Sequence, residues 1–350
     1  MIKPKNNILK SGFWIAPEDR MNYICLDLNE NMFITEEKIR KIVSKLDLSK
    51  INQYPEYSKA NSMIAKYAGI GSNNLLMTNG ADQAIELVLR TFCKKKEVVI
   101  PLPTFSYYQQ VCSVENIHIK KVYYNNKFLF PLKETLKCID KNTDGIILCS
   151  PSNPLSVIIP EEDIIQIIRK AKKYGCFVLI DEVYYEFNKS KLHKKIWGYD
   201  NLILIRSFSK GYGIAGLRLG YIISHKENIL QLKKVRGPWD VNGFAVAFVM
   251  EMLRDRNWLN YIKECNSIRG DIIRLLKQKD WSVLDSNTNF LTFKVPKSNK
   301  FIQYMKNNNI LVSNLSRYID SNSILTDYIR MGIPNSKDKN RVITALENYY

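Results

Sequence analysis

The sequence has no long apolar run. No stretch approaches the roughly 20 consecutive apolar residues that a membrane-spanning helix needs, and the basic N-terminus MIKPKNNILKSGFW lacks an apolar core of signal-peptide length. The expected location is therefore the cytoplasm. Histidine is scarce: only His118, His193 and His225 occur, none in metal-ligand spacing, so no metal site is expected. The 7 cysteines include no C-x-x-C pair. An odd, unpatterned set, partly inside apolar runs, reads as reduced core thiols rather than disulfides. Repeats, low-complexity tracts and Pro/Gly linkers are missing as well. Acidic residues are outnumbered, 34 against 52 Lys+Arg, for a net charge of +18. The lysines are dispersed, with only short runs such as Lys94-Lys95-Lys96, which reads as a solvated surface rather than a nucleic-acid stripe.

What is present is a series of short, continuous apolar runs: Val98-Val99-Ile100, 145–149, 177–180, 202–205 and 220–223. Continuous rather than alternating runs are how strands buried on both faces read. Amphipathic helical patterns over 81–93 and 161–173 lie between them, so right-handed crossovers and a mostly parallel sheet are expected. Beyond about residue 230 the pattern becomes helical from near Glu227 through Arg256 and again over 257–278. Strand-like runs at 289–293, 310–312 and 328–331 and a closing helix over 336–349 follow. With 350 residues the chain suits a large α/β unit and a smaller α+β unit. The expected division is 1–45, contributing to the smaller unit and the site mouth; 46–235, the large unit; and 236–350, the smaller unit.

The densest chemical signal is the run Ser207-Phe208-Ser209-Lys210-Gly211, continuing through Arg218 to Gly220. It follows an apolar run directly, and strand ends are where α/β active sites form. A desolvated lysine near positive charge is a nucleophile. Two hydroxyls and an arginine suit a phosphate, and the glycines let backbone approach a ligand. By spacing alone, a glycine-rich turn with an incidental lysine explains this run as well.

The run resembles the Schiff-base motif of fold-type-I pyridoxal-phosphate enzymes, S-x-S-K-x-x-x-x-x-G-x-R-x-G, and is most similar to the branch of histidinol-phosphate aminotransferase and threonine-phosphate decarboxylase. The resemblance extends from Leu26 to the C-terminus, with further motifs in family order. It implies an aspartate-aminotransferase-like fold, the cofactor pyridoxal 5′-phosphate (PLP), and Lys210 as the lysine that binds it. Thr78-Asn79-Gly80-Ala81-Asp82-Gln83 implies main-chain amides at Gly80, Ala81 and Asp82 for the cofactor phosphate, joined by Ser207, Ser209 and Arg218. Pro103-Thr104-Phe105 implies a ring stacked on the cofactor, with phenylalanine where the family commonly has tyrosine. Ser150-Pro151-Ser152-Asn153-Pro154 implies Asn153 on the phenolic oxygen. The family continues with Thr-Gly, this chain with Leu155-Ser156. Asp181-Glu182-Val183-Tyr184 implies Asp181 as partner of the pyridine nitrogen, which it keeps protonated, and Tyr184 beside Asn153. Asn52-Gln53-Tyr54-Pro55 implies a homodimer in which Tyr54 reaches the neighbouring subunit's cofactor phosphate. Pro238-Trp239-Asp240-Val241-Asn242 matches a segment common to the aminotransferases and the decarboxylase.

For the substrate, the resemblance implies Arg330, in Tyr328-Ile329-Arg330-Met331-Gly332, as an anion-binding residue, and Asn29, in Leu26-Asp27-Leu28-Asn29-Glu30-Asn31, at the site mouth. The branch's second arginine corresponds to Ser313 here, with Arg317 nearby as a substitute. The implied activity is amino transfer, with glutamate as the expected donor and a small phosphorylated ketone or aldehyde as acceptor. The alternative is decarboxylation of a phosphorylated amino acid such as phosphothreonine or phosphoserine. That branch's N-terminal H-G-G-N segment does not occur here. A non-catalytic descendant of the fold would have lost Lys210 or Asp181, and both remain.

Overall fold

The structure is a computed structural model and describes residues 2–13, 15, 17–47, 49, 51–317 and 324–349. Its centre is a 7-stranded sheet. From one edge to the other the strands are Leu75–Thr78, Gly220–Ser224, Leu202–Ser207, Phe177–Asp181, Gly145–Cys149, Glu97–Leu102 and His118–Tyr123. All are mutually parallel except Gly220–Ser224, which runs antiparallel to both its neighbours. The apolar runs read from the sequence are these inner strands, and Gly145–Cys149, Phe177–Asp181 and Leu202–Ser207 are buried along their whole length. Burial on both faces explains the lack of alternation.

Helices cover both faces. Gly80–Phe92, Tyr107–Val114 and Lys226–Val235 enclose one core through Ala84, Ile85, Val88, Tyr108, Ile229 and Leu232. Ser58–Ala68, Glu161–Lys173 and Gly243–Met252 enclose the other through Ile64, Ile164, Ile168, Val246 and Val249. Because the four inner parallel strands, Glu97–Leu102 among them, point the same way, their carboxyl ends share one rim of the sheet. Asp181, Cys149 and Ser207 all lie on that rim.

A separate core joins Ile24, Leu26 and Phe33 to residues from Tyr261 onward. It contains the antiparallel strands Ser313–Asn314, Tyr328–Gly332 and Phe290–Lys294, and the parallel pair Ile24–Cys25 with Ile310–Leu311. The N-terminal segment thus completes this smaller unit. Two expectations change. The continuous helix from 227 to 256 is broken between Lys226–Val235 and Gly243–Met252, where Pro238 lacks the amide a helix requires and Asn242 starts the next helix by accepting from Ala245 N–H at 2.7 Å. Residues 241–258 also pack under the large sheet, through Val241, Phe248, Met252 and Trp258, rather than with the smaller unit expected over 236–350. Among the described residues no helix is long and apolar enough to cross a membrane.

Candidate active site

A cavity of about 570 Å³ opens where the rim of the large sheet meets the smaller unit. Its wall brings together Asn29, Ala81, Asp82, Phe105, Asn153, Asp181, Tyr184, Ser207, Ser209, Lys210, Arg218 and Arg330. These come from segments far apart in sequence, and each was singled out above.

Lys210 follows the strand Leu202–Ser207, in a loop pinned from two sides. Asn31 donates to the Lys210 and Gly211 carbonyls at 3.0 and 3.1 Å, and Tyr261 donates to the Gly211 carbonyl from the smaller unit. A Cβ at Gly211 would collide with the buried Glu186, so the loop can lie this close only with glycine there. The Lys210 ammonium donates to the Leu28 carbonyl at 2.9 Å. Burial, reinforced by the nearby Arg330 cation, lowers its pKa from the ordinary 10.5 to about 8.

Asp181 ends its strand with its side chain buried. Its Oδ2 accepts from the Tyr108 hydroxyl at 2.5 Å and its Oδ1 from the Val183 amide at 3.0 Å. Burial nonetheless pushes its pKa up to about 6, because both donors are neutral. A carboxylate in this position suits a cationic N–H partner.

At one end of the cavity Gly80 begins the helix Gly80–Phe92 in the left-handed region, φ +76°, and a Cβ there would lie 2.7 Å from the Arg218 guanidinium. A Cβ at Gly220 would lie 2.8 Å from the Gly80 carbonyl carbon. The two glycines leave a cradle of main chain beneath Arg218. Arg218 pairs with Asp82 at 2.7 Å, while Ser207 Oγ accepts from the Ser209 amide at 3.1 Å. A helix N-terminus, an arginine and two hydroxyls make a donor set for phosphate.

At the other end, Arg330 lies opposite Thr292 and Ser313 in the small antiparallel sheet. Its guanidinium donates to Asn153 Oδ1 and to the Asp27 carbonyl, both at 2.7 Å, and to Ser313 Oγ at 3.3 Å, while its buried Nε has no partner. The carbonyl of Asn153 is thus used by protein, which leaves its amide hydrogens for a ligand oxygen. Tyr184 accepts from Asn29 Nδ2 at 2.8 Å and keeps its hydroxyl hydrogen to give. Asn29 adopts φ +55°, a conformation asparagine tolerates. The loop that carries Leu155-Ser156 instead of Thr-Gly holds its shape: Ser156 takes the glycine-like φ of +63° and donates to the Asp285 carbonyl at 2.9 Å.

These features fit PLP. The glycine cradle suits its phosphate, the buried carboxylate its ring nitrogen, Asn153 and Tyr184 its phenolic oxygen, Phe105 its ring face and Lys210 its carbonyl carbon. Two expected residues stand apart. Tyr54 is 75% exposed, stacked on Trp239 at 4.2 Å, and does not line this cavity. The side chain of Arg317 lies outside the described residues. Sequence reasoning missed Tyr108, which holds Asp181; Leu28, whose carbonyl holds Lys210; and Asn289, which donates to the Asn29 and Glu30 carbonyls at 3.0 and 3.2 Å. It also missed Phe13, Tyr107 and Gln110 in the cavity wall. Apart from Leu28, which lies in the Leu26–Asn31 segment but acts through its main chain, none of these sits in a motif, and only the fold brings them to the rim.

Comparison with known proteins gives the family and the fold. Residues 22–345 match the family described as aminotransferase class I and II. A histidinol-phosphate aminotransferase of Methanocaldococcus jannaschii is 30% identical over an alignment of 358 positions, covering 99% of this chain and 93% of that protein. The histidinol-phosphate aminotransferase of Sinorhizobium meliloti, solved with pyridoxal 5′-phosphate, superposes with a TM-score of 0.85 at 19% identity, covering 99% of this chain and 97% of the other. An L-threonine-O-3-phosphate decarboxylase of Porphyromonas gingivalis superposes with a TM-score of 0.77 at 23% identity, covering 93% and 98%. At such identities the two structures speak for the fold alone. With a matched region that spans nearly the whole chain, the protein belongs to the class I and II aminotransferase family and is a PLP-dependent aminotransferase.

Proposed function

We propose that this aminotransferase moves an amino group from glutamate to a small phosphorylated ketone or aldehyde, in a reaction of the histidinol-phosphate type. The observation that carries the reading is the placement of Lys210 in one cavity with the carboxylate of Asp181 and the guanidinium of Arg330. The relatives named histidinol-phosphate aminotransferase support a phosphorylated partner.

Bound PLP would supply an electron sink conjugated to the reacting carbon. The chain's residues do the rest. The amides of Gly80, Ala81 and Asp82, with Ser207, Ser209 and Arg218, hold the phosphate. Phe105 covers one ring face. Asn153 and Tyr184 donate to the phenolic oxygen, and Asp181 keeps the proton on the ring nitrogen. Lys210 would hold the cofactor at its carbonyl carbon. As a free amine with a lowered pKa it would be the base that takes the proton from substrate Cα and the acid that delivers it to the cofactor side. Arg330 offers Nε and Nη hydrogens to the substrate's carboxylate, and the unpartnered Nε is the group a bidentate anion would satisfy. Asn29, also in the cavity wall, orients the Tyr184 hydroxyl by donating to it. In a homodimer, Tyr54 would serve the neighbouring subunit's phosphate.

The test separates the half-reactions. Glutamate added to the holoenzyme should convert the visible absorbance of the lysine-bound cofactor to that of the amino form, near the ultraviolet. A panel of phosphorylated carbonyl compounds, with the ketone corresponding to histidinol phosphate among them, should then restore it. Release of carbon dioxide from phosphothreonine or phosphoserine without amino transfer would sink the proposal.

A further inference from the structure

Asp181 is held from behind by a hydroxyl outside every motif above. Tyr108 lies on the helix Tyr107–Val114, and its hydroxyl donates to Asp181 Oδ2 at 2.5 Å. The two residues are 0% and 2% exposed, so water does not compete for this contact. The Val183 amide occupies Oδ1 at 3.0 Å, and the two donors together fix the carboxylate's torsion. The ring of Tyr108 stands edge-on to Phe105, at 90° with centroids 5.6 Å apart, and Phe105 lines the cavity. Tyr108 therefore touches the carboxylate with its hydroxyl and braces the cavity's aromatic wall with its ring.

A phenol has one hydrogen to give. Given to Oδ2, it favours the ionised acid, and a bond to a charged acceptor is worth more than a neutral one. Burial drives Asp181 the other way, towards the neutral acid, and the nearby carboxylates Asp82 and Glu182 push in the same direction. The Tyr108 hydrogen bond is the largest influence opposing them. The buried Cys149 thiol, the other polar neighbour of Tyr108, stays neutral because burial raises its pKa.

We infer that Tyr108 is a positioning residue for the reaction, acting through Asp181: its hydroxyl keeps that carboxylate ionised and aimed, so that the ring nitrogen of bound PLP stays protonated. The inference rests on the cofactor reading of the site and on no other part of the proposed function.

Tyr108→Phe removes the hydroxyl and leaves the ring against Phe105. The experiment uses holoenzyme reconstituted with PLP carrying ¹⁵N at the pyridine nitrogen. In Tyr108→Phe the nitrogen signal should move towards the unprotonated position at neutral pH. The dissociation constant for PLP should rise and kcat fall, each by about 10- to 100-fold, the effect of losing one bond to a charged group, while KM for the amino donor stays within about twofold. In an Asp181→Asn background, adding Tyr108→Phe should change the nitrogen signal and kcat no further, because the residue acts only through Asp181. A nitrogen signal that moves in Asp181→Asn but not in Tyr108→Phe overturns the inference and leaves the cofactor reading standing. Equal further losses of kcat in both backgrounds also overturn it, since they mark a merely structural tyrosine. A signal unmoved in Asp181→Asn itself overturns the inference by removing its basis in the cofactor reading.

Discussion

Asp181 and Lys210 are ionisable groups whose burial opposes their charged forms, as buried groups at active sites often are. The sign for Asp181 follows from its raised pKa. Below the unfolded value of 3.8 both states are protonated. Between 3.8 and about 6 only the folded state holds the proton, so stability falls as pH rises, and above about 6 the penalty is complete. Two pKa units correspond to about 3 kcal/mol. Asp181→Asn should therefore raise the melting temperature of the cofactor-free protein at pH 8, by an increment that shrinks towards pH 4, while turnover falls by on the order of 10³-fold. Differential scanning calorimetry across pH, beside steady-state rates, checks both halves, and a variant less stable than wild type at pH 8 contradicts the account. Lys210 has the opposite sign. Its folded pKa of about 8 lies below the ordinary 10.5, so stability of the cofactor-free protein rises with pH between those values. Only the neutral amine attacks a carbonyl, so the rate at which cofactor-free protein captures PLP should climb about tenfold per pH unit below about 8 and level off above it. In Lys210→Ala the visible absorbance should be absent at every pH, with turnover abolished. Both residues were named from the sequence because they sit within motifs, and the fold brings both to one cavity. Tyr108 was not: it is one of 20 tyrosines, and its partner lies 73 residues away.

Elements were legible where burial dictates pattern. The apolar runs of the large sheet needed no tertiary information, since a strand buried on both faces must be apolar throughout. The helix Glu161–Lys173 was read from the spacing of its isoleucines, and its acidic first turn and basic last turn suit the helix dipole. The segment 227–256 was harder, because its apolar residues keep a helical period on both sides of a break that only Pro238 and the Asn242 cap signal. The strand expected at 310–312 is Ile310–Leu311, and just after Val312 the chain enters a second short strand, Ser313–Asn314, in a different sheet, a switch that no local pattern records. The start of the helix Gly80–Phe92 is where an element and the site coincide. Gly80 combines φ +76° with a Cβ position 2.7 Å from Arg218, so Gly80→Ala adds backbone strain and displaces the guanidinium from the cradle. The expected loss is about 1–2 kcal/mol of stability, with PLP bound about 10- to 100-fold more weakly. Fluorescence titration of the cofactor-free variant measures the second quantity. Unchanged PLP affinity would mean that the phosphate lies elsewhere.

At the scale of the whole molecule the open matter is Tyr54, which does not reach the cavity of its own chain. It lies outside the cavity wall, three-quarters exposed, with its ring stacked on Trp239, itself 51% exposed. Two large aromatics held face to face in solvent bury little of their own surface, and Ile51, Leu230 and Val235 are exposed as well. Exposed aromatic and aliphatic groups of this kind gain most by covering one another across an interface. In a two-fold dimer whatever one subunit lends, it also receives. The expected assembly is therefore a homodimer in which each Tyr54 hydroxyl donates to the phosphate held in the other subunit's cavity. Sedimentation equilibrium should return twice the chain mass of 40.8 kDa. Complementation then tests the sharing itself. Tyr54→Ala should weaken PLP binding about tenfold, as expected for one lost bond to a charged group, and Lys210→Ala should be inactive. When the two variants are mixed, dissociated and reassembled, each mixed dimer contains one site with both residues intact, Lys210 from one subunit and Tyr54 from the other. At PLP concentrations too low to fill the Tyr54→Ala site, activity should exceed that of either parent and approach half the wild-type value per mixed dimer. If Tyr54 served its own subunit, the mixed dimer would hold no intact site, and mixing would restore nothing.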